Sequence, residues 1–485
     1  MLPFGGSCVN KPVHQQNWLE VRTRHFDISS SLGPEATTRL ANDLENFRLS
    51  VEYLIDADVP PLAIRTKVYA FDGRRVVRPF DRRGASGYFL PSLDGGWIVL
   101  RTGGGWRRDA TVDLKLKFAR FLFRNREGLD RPLWYDEGFG QFVSTIKAQD
   151  GAMEIGLARP DQIALLRDRL QLSVERLIQL QDLAELSKHE REIFNAESWA
   201  LVHYLTFEKG HPAQARKRFR RYFDLLEQGT SYPKALQKAF GETPSEIKKG
   251  LSGYVREQEF GSMTMRIPQR RAKVPTPRRL EPANAATRLG WLAVALGRAK
   301  IALGYFEEAL EPDPENPSAM AGLVAGARIQ QDWKSAKARY ARAQEVAPNH
   351  SLVHLEGGRA ALAEARETAS PRDQARLTAL AQQRFRKSID ELGTNPEAYA
   401  LLGSSYLLPG EDPARGVAPL IRAQALLPSS LEIELIRARI ELARGEASFA
   451  ALLARGIASR TTSKKLAEES LALAEEAERG TKTGR

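Results

Sequence analysis

A period of 34 residues in the second half of this chain limits that half to one kind of architecture. Leu289-Gly290, Ala302, Phe306, Ala309 and Pro314 are followed by Leu323, Ala336, Tyr340, Ala343 and Pro348, and Pro348 stands 34 residues after Pro314. A unit of this length reads as a helical hairpin. Small residues fall where its two helices touch, and proline ends the second helix. Later copies are looser. Leu402-Gly403-Tyr406 with Leu420, Ala423 and Pro428 forms one copy, with a residue missing from its turn. His354–Ala363 with Phe385–Pro396 forms a divergent one, with an insertion near Glu367–Leu380, and a weak last copy runs from Glu432 to about Ile457. Single hairpins cannot bury their own apolar faces, so residues 282–470 are expected to stack as an all-α solenoid.

The pattern resembles the tetratricopeptide (TPR) repeat over roughly residues 283–460, closely in the first two copies. That resemblance implies a concave face holding a protein or peptide. By repeat position, Asn284, Arg288, Arg328 and Arg359 fall on the inner helices. The arginines would clamp a carboxylate or an acidic peptide there; their bland role is to keep the surface soluble.

Composition sets the remaining limits. At about 100–200 residues per domain, 485 residues hold two to four domains. The formal charge of +12 and pI near 9.7 fit nucleic acid, an anionic membrane, acidic partners or simply an Arg-rich sequence. One cysteine, Cys8, excludes an internal disulfide and any zinc site built from several thiolates. No apolar run approaches the roughly 20 residues that span a bilayer. The opening MLPFGGSCVN faintly resembles a bacterial lipoprotein cleavage site. The basic and apolar regions of a secretory signal are missing ahead of Cys8. Cys8 is either an ordinary thiol in a loose tail or a lipid-anchor site whose signal lies upstream of this start. The protein is cytoplasmic in the first case and belongs to the cell envelope in the second.

The first half is mixed in pattern. His25-Phe26-Asp27-Ile28, Leu62–Phe71, Gly87–Leu90 and Trp97–Thr102 read as strands, with turn signals at Asp72-Gly73 and Asp94-Gly95-Gly96. Ala36, Leu40, Leu44, Phe47 and Val51 form a helical stripe. From Thr111 the pattern stays helical, through Asp161–Gln181, Glu190–Glu208, Pro212–Gln228, Tyr232–Phe240 and Pro244–Glu257. Residues 261–281 are basic and proline-bearing, the composition of a solvated spacer. The expected division is a tail (1–16), an α+β domain (17–260, its sheet in 17–110 and its helices in 111–260), the linker (261–281), the repeats (282–470) and a second tail (471–485).

The segment Phe118–Ile146, FARFLFRNREGLDRPLWYDEGFGQFVSTI, is the most informative about chemistry. It resembles the active-site region of the gluzincin metallopeptidases, especially the bacterial peptidase MA-like domains often fused to TPR arrays. Supporting similarities are the HFDI strand, Pro60-Pro61, Gly87-Tyr88-Phe89, Glu197–Tyr204 and Ala239-Phe240-Gly241, so the resemblance spans most of residues 17–257. It implies a helix carrying HExxH, with two His ligands and a Glu base on one face, and a second helix giving a Glu ligand. Such a site leaves an open zinc position for water.

Carried over residue by residue, the resemblance gives an unexpected set. Leu116 falls at the first His, Lys117 at the general base and Arg120 at the second His; Glu137 alone keeps its type. Leucine cannot bind zinc, and lysine or arginine would set positive charge beside a dication. The expectation is therefore a non-catalytic domain with no metal and no cofactor. Arg120, or failing that Lys117, should pair with Glu137 and replace the metal as a clamp between the helices. His189-Glu190 begins an HExxH but meets Ile193 where the second His belongs. His350 and His354 are a surface coincidence, and His203 and His25 read as structural. No phosphate-binding or nucleophile-elbow motif is found, and Gly103-Gly104-Gly105 reads as a turn.

Three functions compete at this level. The leading one is a pseudo-peptidase fused to a TPR array and acting as a scaffold. The second is a hydrolase rebuilt without zinc on Glu137, Asp136 or Tyr135. The third is nucleic-acid binding through Gln214–Tyr222, QARKRFRRY, and the basic linker, although that helix also reads as amphipathic with a basic outer face. No specific nucleic acid is expected.

Overall fold

A computed structural model describes residues 12–55, 64–73, 77–81, 87–101, 112–124, 131–149, 151–166, 170–208, 211–266, 273–461 and 463–483. Cys8, Pro60-Pro61, Gly103–Gly105 and the middle of the basic linker lie outside the described residues.

Six strands form the main sheet: β1 (Leu19–Arg22), β2 (Phe26–Ser30), β3 (Thr66–Phe71), β4 (Gly87–Ser92), β5 (Gly95–Arg101) and β9 (Arg278–Arg279), in the order β4-β5-β3-β2-β1-β9. β2, β3 and β5 run parallel, and helix α1 (Pro34–Leu54) makes the crossover from β2 to β3. Residues alternate between two covered faces. Phe26, Ile28, Val68, Ala70, Ile98 and Leu100 meet α1 and α2 (Val112–Arg124). Tyr69, Phe71, Trp97 and Val99 point the other way. Covering both faces explains the unbroken apolar runs Val68–Phe71 in β3 and Trp97–Leu100 in β5.

The helical part continues with α3 (Leu133–Ser144), α4 (Pro160–Leu166), α5 (Val174–Gln179), α6 (Lys188–Phe207), α7 (Pro212–Glu227), α8 (Tyr232–Phe240) and α9 (Pro244–Glu257). Two of these helices start on reciprocal capping boxes, Ser187 with Glu190 and Thr243 with Glu246. The stretch 161–181 holds two short helices where one pattern was expected, because Ser173 caps a new start at Val174, its hydroxyl accepting from the Arg176 backbone N–H. A small antiparallel sheet joins β6 (Lys147–Gln149), β7 (Ala152–Ile155) and β8 (Met263–Arg266).

The repeat region is an array of helical hairpins: α10 (Pro282–Ala295), α11 (Ala299–Leu310), α12 (Pro317–Ile329), α13 (Trp333–Val346), α14 (Ser351–Glu367), α15 (Pro371–Glu391), α16 (Pro396–Ser405), α17 (Val417–Leu426), α18 (Leu431–Ala443), α19 (Ala447–Arg460) and α20 (Lys464–Thr483). The Phe306 ring wedges between α10 and α12. A Cβ at Gly290 would lie 2.5 Å from that ring and one at Gly322 2.2 Å away, so both positions are held to glycine. The inserted residues near 367–380 do not form a loop. They lengthen a hairpin, giving α14 17 residues and α15 21, against 13 and 14 in α12 and α13.

Two boundaries differ from expectation. The supposed spacer 261–281 is structured at both ends. Met263 and Met265 alternate with Thr264 and Arg266, a period of two that suits β8, and Arg278-Arg279 pair with β1 before Leu280 enters the core. Charge and proline density masked these short strands. The supposed tail 471–485 begins inside α20, where Leu473, Ala474 and Ala477 are buried against the preceding helices. Its many glutamates hid an apolar stripe.

The array does not hang free. Trp18, Tyr69, Phe71, Phe80 and Trp97 share one core with Leu289, Leu292, Phe306 and Ala319. Arg298 donates to the carbonyls of Pro79 and Asp81. At the far end α19 touches the helical turn Leu183–Glu185.

Candidate functional site

The helices named by the peptidase resemblance lie side by side, and two guanidinium–carboxylate pairs join them. Arg120 on α2 donates to Glu137 on α3. One turn further along α2, Arg124 donates through Nε (3.0 Å) and Nη2 to Asp136. Glu137 is 3% exposed and Asp136 6%. Burial pulls the Arg124 guanidinium down, but Asp136 and then Glu137 outweigh it and hold it above its ordinary value. Leu116 is buried beside Arg120, and the two side chains pack over Gly140 of α3. Lys117 turns away: its ammonium pairs with Asp113 at 2.8 Å on the exposed side of α2. The structure thus brings together Leu116, Arg120 and Glu137 and leaves Lys117 out.

Sequence reasoning missed the second pair. Its signal was present, because Arg120 and Arg124 stand four apart on one helix face opposite the consecutive Asp136 and Glu137. Among the described residues, no group of three or more His, Cys, Asp and Glu is placed to hold a metal ion. His189 is exposed at the start of α6, and His354 bonds the Pro348 carbonyl at 2.6 Å. His25 bonds Glu45 at 2.7 Å.

α3 also approaches α6 at unusually short range. A Cβ built on Gly138 would lie 2.3 Å from the Ser198 carbonyl oxygen, a backbone atom that cannot rotate aside. Glycine after Glu137 is therefore a packing requirement. The Gly138→Ala variant is expected to lose about 3 kcal/mol or more, the upper range for overpacking. Chemical unfolding checks this; a loss below about 0.5 kcal/mol, the scale of ordinary surface changes, would show that the helices separate freely.

Two buried groups on α6 titrate in opposite senses. His203 accepts from Tyr254 Oη at Nδ1 (2.8 Å) and donates from Nε2 to the Gly156 carbonyl (2.9 Å), and burial lowers its pKa to about 4. Burial raises Glu197 to about 7, against the pull of the Gln171 and Leu172 backbone N–H groups it accepts. The stability tied to neutral His203 is present above pH 6.5 and lost as pH falls from 6.5 towards 4. That tied to protonated Glu197 is present below 4.5 and lost as pH rises from 4.5 to 7. Between 4.5 and 6.5 the two slopes oppose each other. Glu197→Gln should unmask a loss on acidification, and His203→Gln a loss on alkalinisation, each up to about 1.4 kcal/mol per pH unit. Melting curves across roughly pH 4–8 decide it, and parallel profiles for both variants would refute the assignment.

The array arginines are engaged within the chain. Arg288 donates to Asp27 (2.9 Å), Ser29 (2.9 Å) and Glu20 (2.7 Å) on β1 and β2, and its carbonyl accepts from Tyr69 Oη. Arg328 reaches Glu356 at 3.4 Å, and Arg359 reaches Glu356 (3.0 Å) and Glu397 (2.9 Å). Burial opposes the charge on Arg359, but Glu356, Glu397 and Asp94 at the β4–β5 turn push its pKa up. Burial lowers that of Arg328. So Arg288 faces the sheet and not an open groove, while Arg328 and Arg359 have their carboxylates in-chain. Asn284 is exposed. The array's inner helices were placed by periodicity, but periodicity says nothing of what covers them.

The basic segment Gln214–Tyr222 forms part of α7, with Ala215, Phe219 and Tyr222 buried and Lys217, Arg220 and Arg221 exposed. No family model matches the chain, and no curated protein matches it. Solved structures show partial similarity. A thermophilic TPR protein of Thermus thermophilus is 21% identical, covering 39% of this chain and 98% of that one, with a TM-score of 0.36. A tetratricopeptide repeat protein from Parabacteroides merdae is 15% identical over 54% of this chain and 99% of its own, TM-score 0.25. Yeast Tom70 is 12% identical over 66% and 63%, TM-score 0.33. At these values the likeness carries no weight for function. By its own geometry, the chain is an α+β unit carrying a TPR-like array of helical hairpins.

Proposed function

We propose that this chain is a non-catalytic, peptidase-like module whose array binds another protein. The observation that carries the first half is the seam between α2 and α3. Where the resemblance puts two His ligands and a base, the seam holds Leu116 and two Arg–carboxylate pairs. These side chains tie the helices together, and Arg120 brings fixed positive charge to the place of a dication. The second half rests on the surface. Among the described residues, the large apolar side chains left exposed are Ile301, Leu392, Ile421, Phe449 and Leu452, and all belong to the array. Phe449 and Leu452 lie three apart on α19, forming a small apolar step suited to a partner's apolar side chain.

Two measurements on the full chain test this reading. Metal analysis after dialysis should show no stoichiometric zinc, and a retained equivalent overturns the non-catalytic assignment. Photo-crosslinking from position 449 should trap a defined partner that Leu452→Asp loses and Lys217→Glu on α7 keeps. Equal trapping in both variants refutes the array as the binding surface.

A further inference from the structure

We propose that the cleft where the turn Val13–Gln15, the β3–β4 connection and α11 meet binds a small phosphate monoester with a short apolar body. The cleft encloses about 520 Å³, within the roughly 300–1,000 Å³ of small-ligand sites. Residues 12–14 form one wall, Arg78 and Pro79 a second, and the array from Arg298 to Glu308 a third. These walls are set before any ligand arrives, which lowers the ordering cost of binding. The Trp18 indole N–H donates to the Val13 carbonyl at 2.7 Å, and Arg298 donates to the carbonyls of Pro79 and Asp81. The Phe80 ring stacks on Tyr305 with centroids 5.9 Å apart.

Three cations and one acid line this space. Arg78 and Lys300 are exposed, and among the described residues neither has a hydrogen-bond or ion-pair partner. Arg298 is committed to its two carbonyls, so it supplies charge and not a fork. The acid, Glu308, lies 2.8 Å from His14 Nδ1 and is already engaged. The start of α11 adds to the same field. No side chain caps it, and its first turn carries Lys300 into the cleft wall. The N–H groups and positive dipole end of such a turn favour an anion. Three positive charges against one negative select a dianion, and a phosphate monoester carries about two negative charges at pH 7. Its three oxygens point in different directions, which suits cations on two separate walls. The two coplanar oxygens of a carboxylate do not. The apolar body rests on Ile301, which is 36% exposed, and over Gly304. A Cβ built on Gly304 meets nothing within 4 Å, so the helix surface there is bare.

Butyl phosphate is the probe, titrated calorimetrically into the full chain at low salt. Inorganic phosphate, butanesulfonate and butanol are the arms that lack the body, the second charge and the anion. Butyl phosphate should bind saturably, roughly five-fold or more tightly than phosphate or butanesulfonate, and butanol should not bind. Arg78→Gln and Lys300→Gln should each weaken it roughly five-fold, the upper range for exposed charge pairs. Gly304→Leu should abolish binding by filling the floor. That variant keeps the fold, because leucine is the better helix former and its side chain starts in open space. Lys217→Gln on α7 removes one exposed charge elsewhere and should change nothing. Absence of saturable heat, binding of butanol, phosphate or butanesulfonate binding as tightly as butyl phosphate, unchanged affinity in Gly304→Leu, or equal weakening by Lys217→Gln each overturn the proposal.

Discussion

Glu137→Ala is expected to destabilise the chain by about 3–5 kcal/mol, because it strands the Arg120 guanidinium without its carboxylate inside the α2–α3 seam. The Arg120 side chain is 11% exposed and that of Glu137 4%, so water cannot take the carboxylate's place without opening the helices. Removing both charges is a different experiment. The pair Arg120→Met with Glu137→Leu should recover most of the loss, since apolar groups of similar volume carry no desolvation penalty. Urea unfolding of the two single variants and the double variant gives the coupling directly. A loss under about 0.5 kcal/mol for Glu137→Ala, or additive singles, would show that the pair holds nothing together. Arg120→Lys is predicted to fall between, as an ammonium keeps the charge but not the fork.

The array expressed alone, residues 282–485, is expected not to fold as a cooperative unit. Its first hairpins share the core of Leu289, Leu292 and Tyr305 with Trp18, Tyr69, Phe71, Phe80 and Trp97, all of which the fragment lacks. At roughly 1.5–3 kcal/mol per large apolar side chain, uncovering Leu289, Leu292 and Tyr305 amounts to about 5–9 kcal/mol. That is within the range of the whole stability of an ordinary domain. Arg288 also loses its acceptors on Glu20, Asp27 and Ser29. The full chain should show one main thermal transition, and the fragment a broad, dye-binding one. A fragment that melts sharply at the full-length temperature would refute the shared core. The consequence for partner searches is direct: bait should be the full chain, because the isolated array exposes an apolar face that binds indiscriminately.

Several features were legible in the sequence because they are local. The 34-residue spacing placed α10 to α13, and Ser187-x-x-Glu190 and Thr243-x-x-Glu246 mark helix starts within a residue or two. The pairing of Arg120 with Glu137 was an expectation of the peptidase resemblance, which put the two residues at facing positions on two helices. Other features were hidden for equally physical reasons. β8 and β9 are too short, and too charged around them, to signal as strands. The last helix carries its apolar residues among glutamates, so composition resembled a tail. Arg124 and Asp136 were visible as residues but not as partners, since nothing in the spacing fixes how α2 rotates against α3.

The sequence by itself determined the periodic parts: where the repeat helices fall and where small residues let the helices of a hairpin touch. Each of these rests on neighbours within one or two turns of chain. Only the tertiary structure decided what covers each face. The second face of the sheet is closed by α10 to α12, and β1 pairs with β9 from far along the chain. Arg288 consequently meets Asp27 and Glu20 and not a ligand. Periodicity states which side of an element is apolar; only long-range packing chooses its partner, and with it the charges left for function.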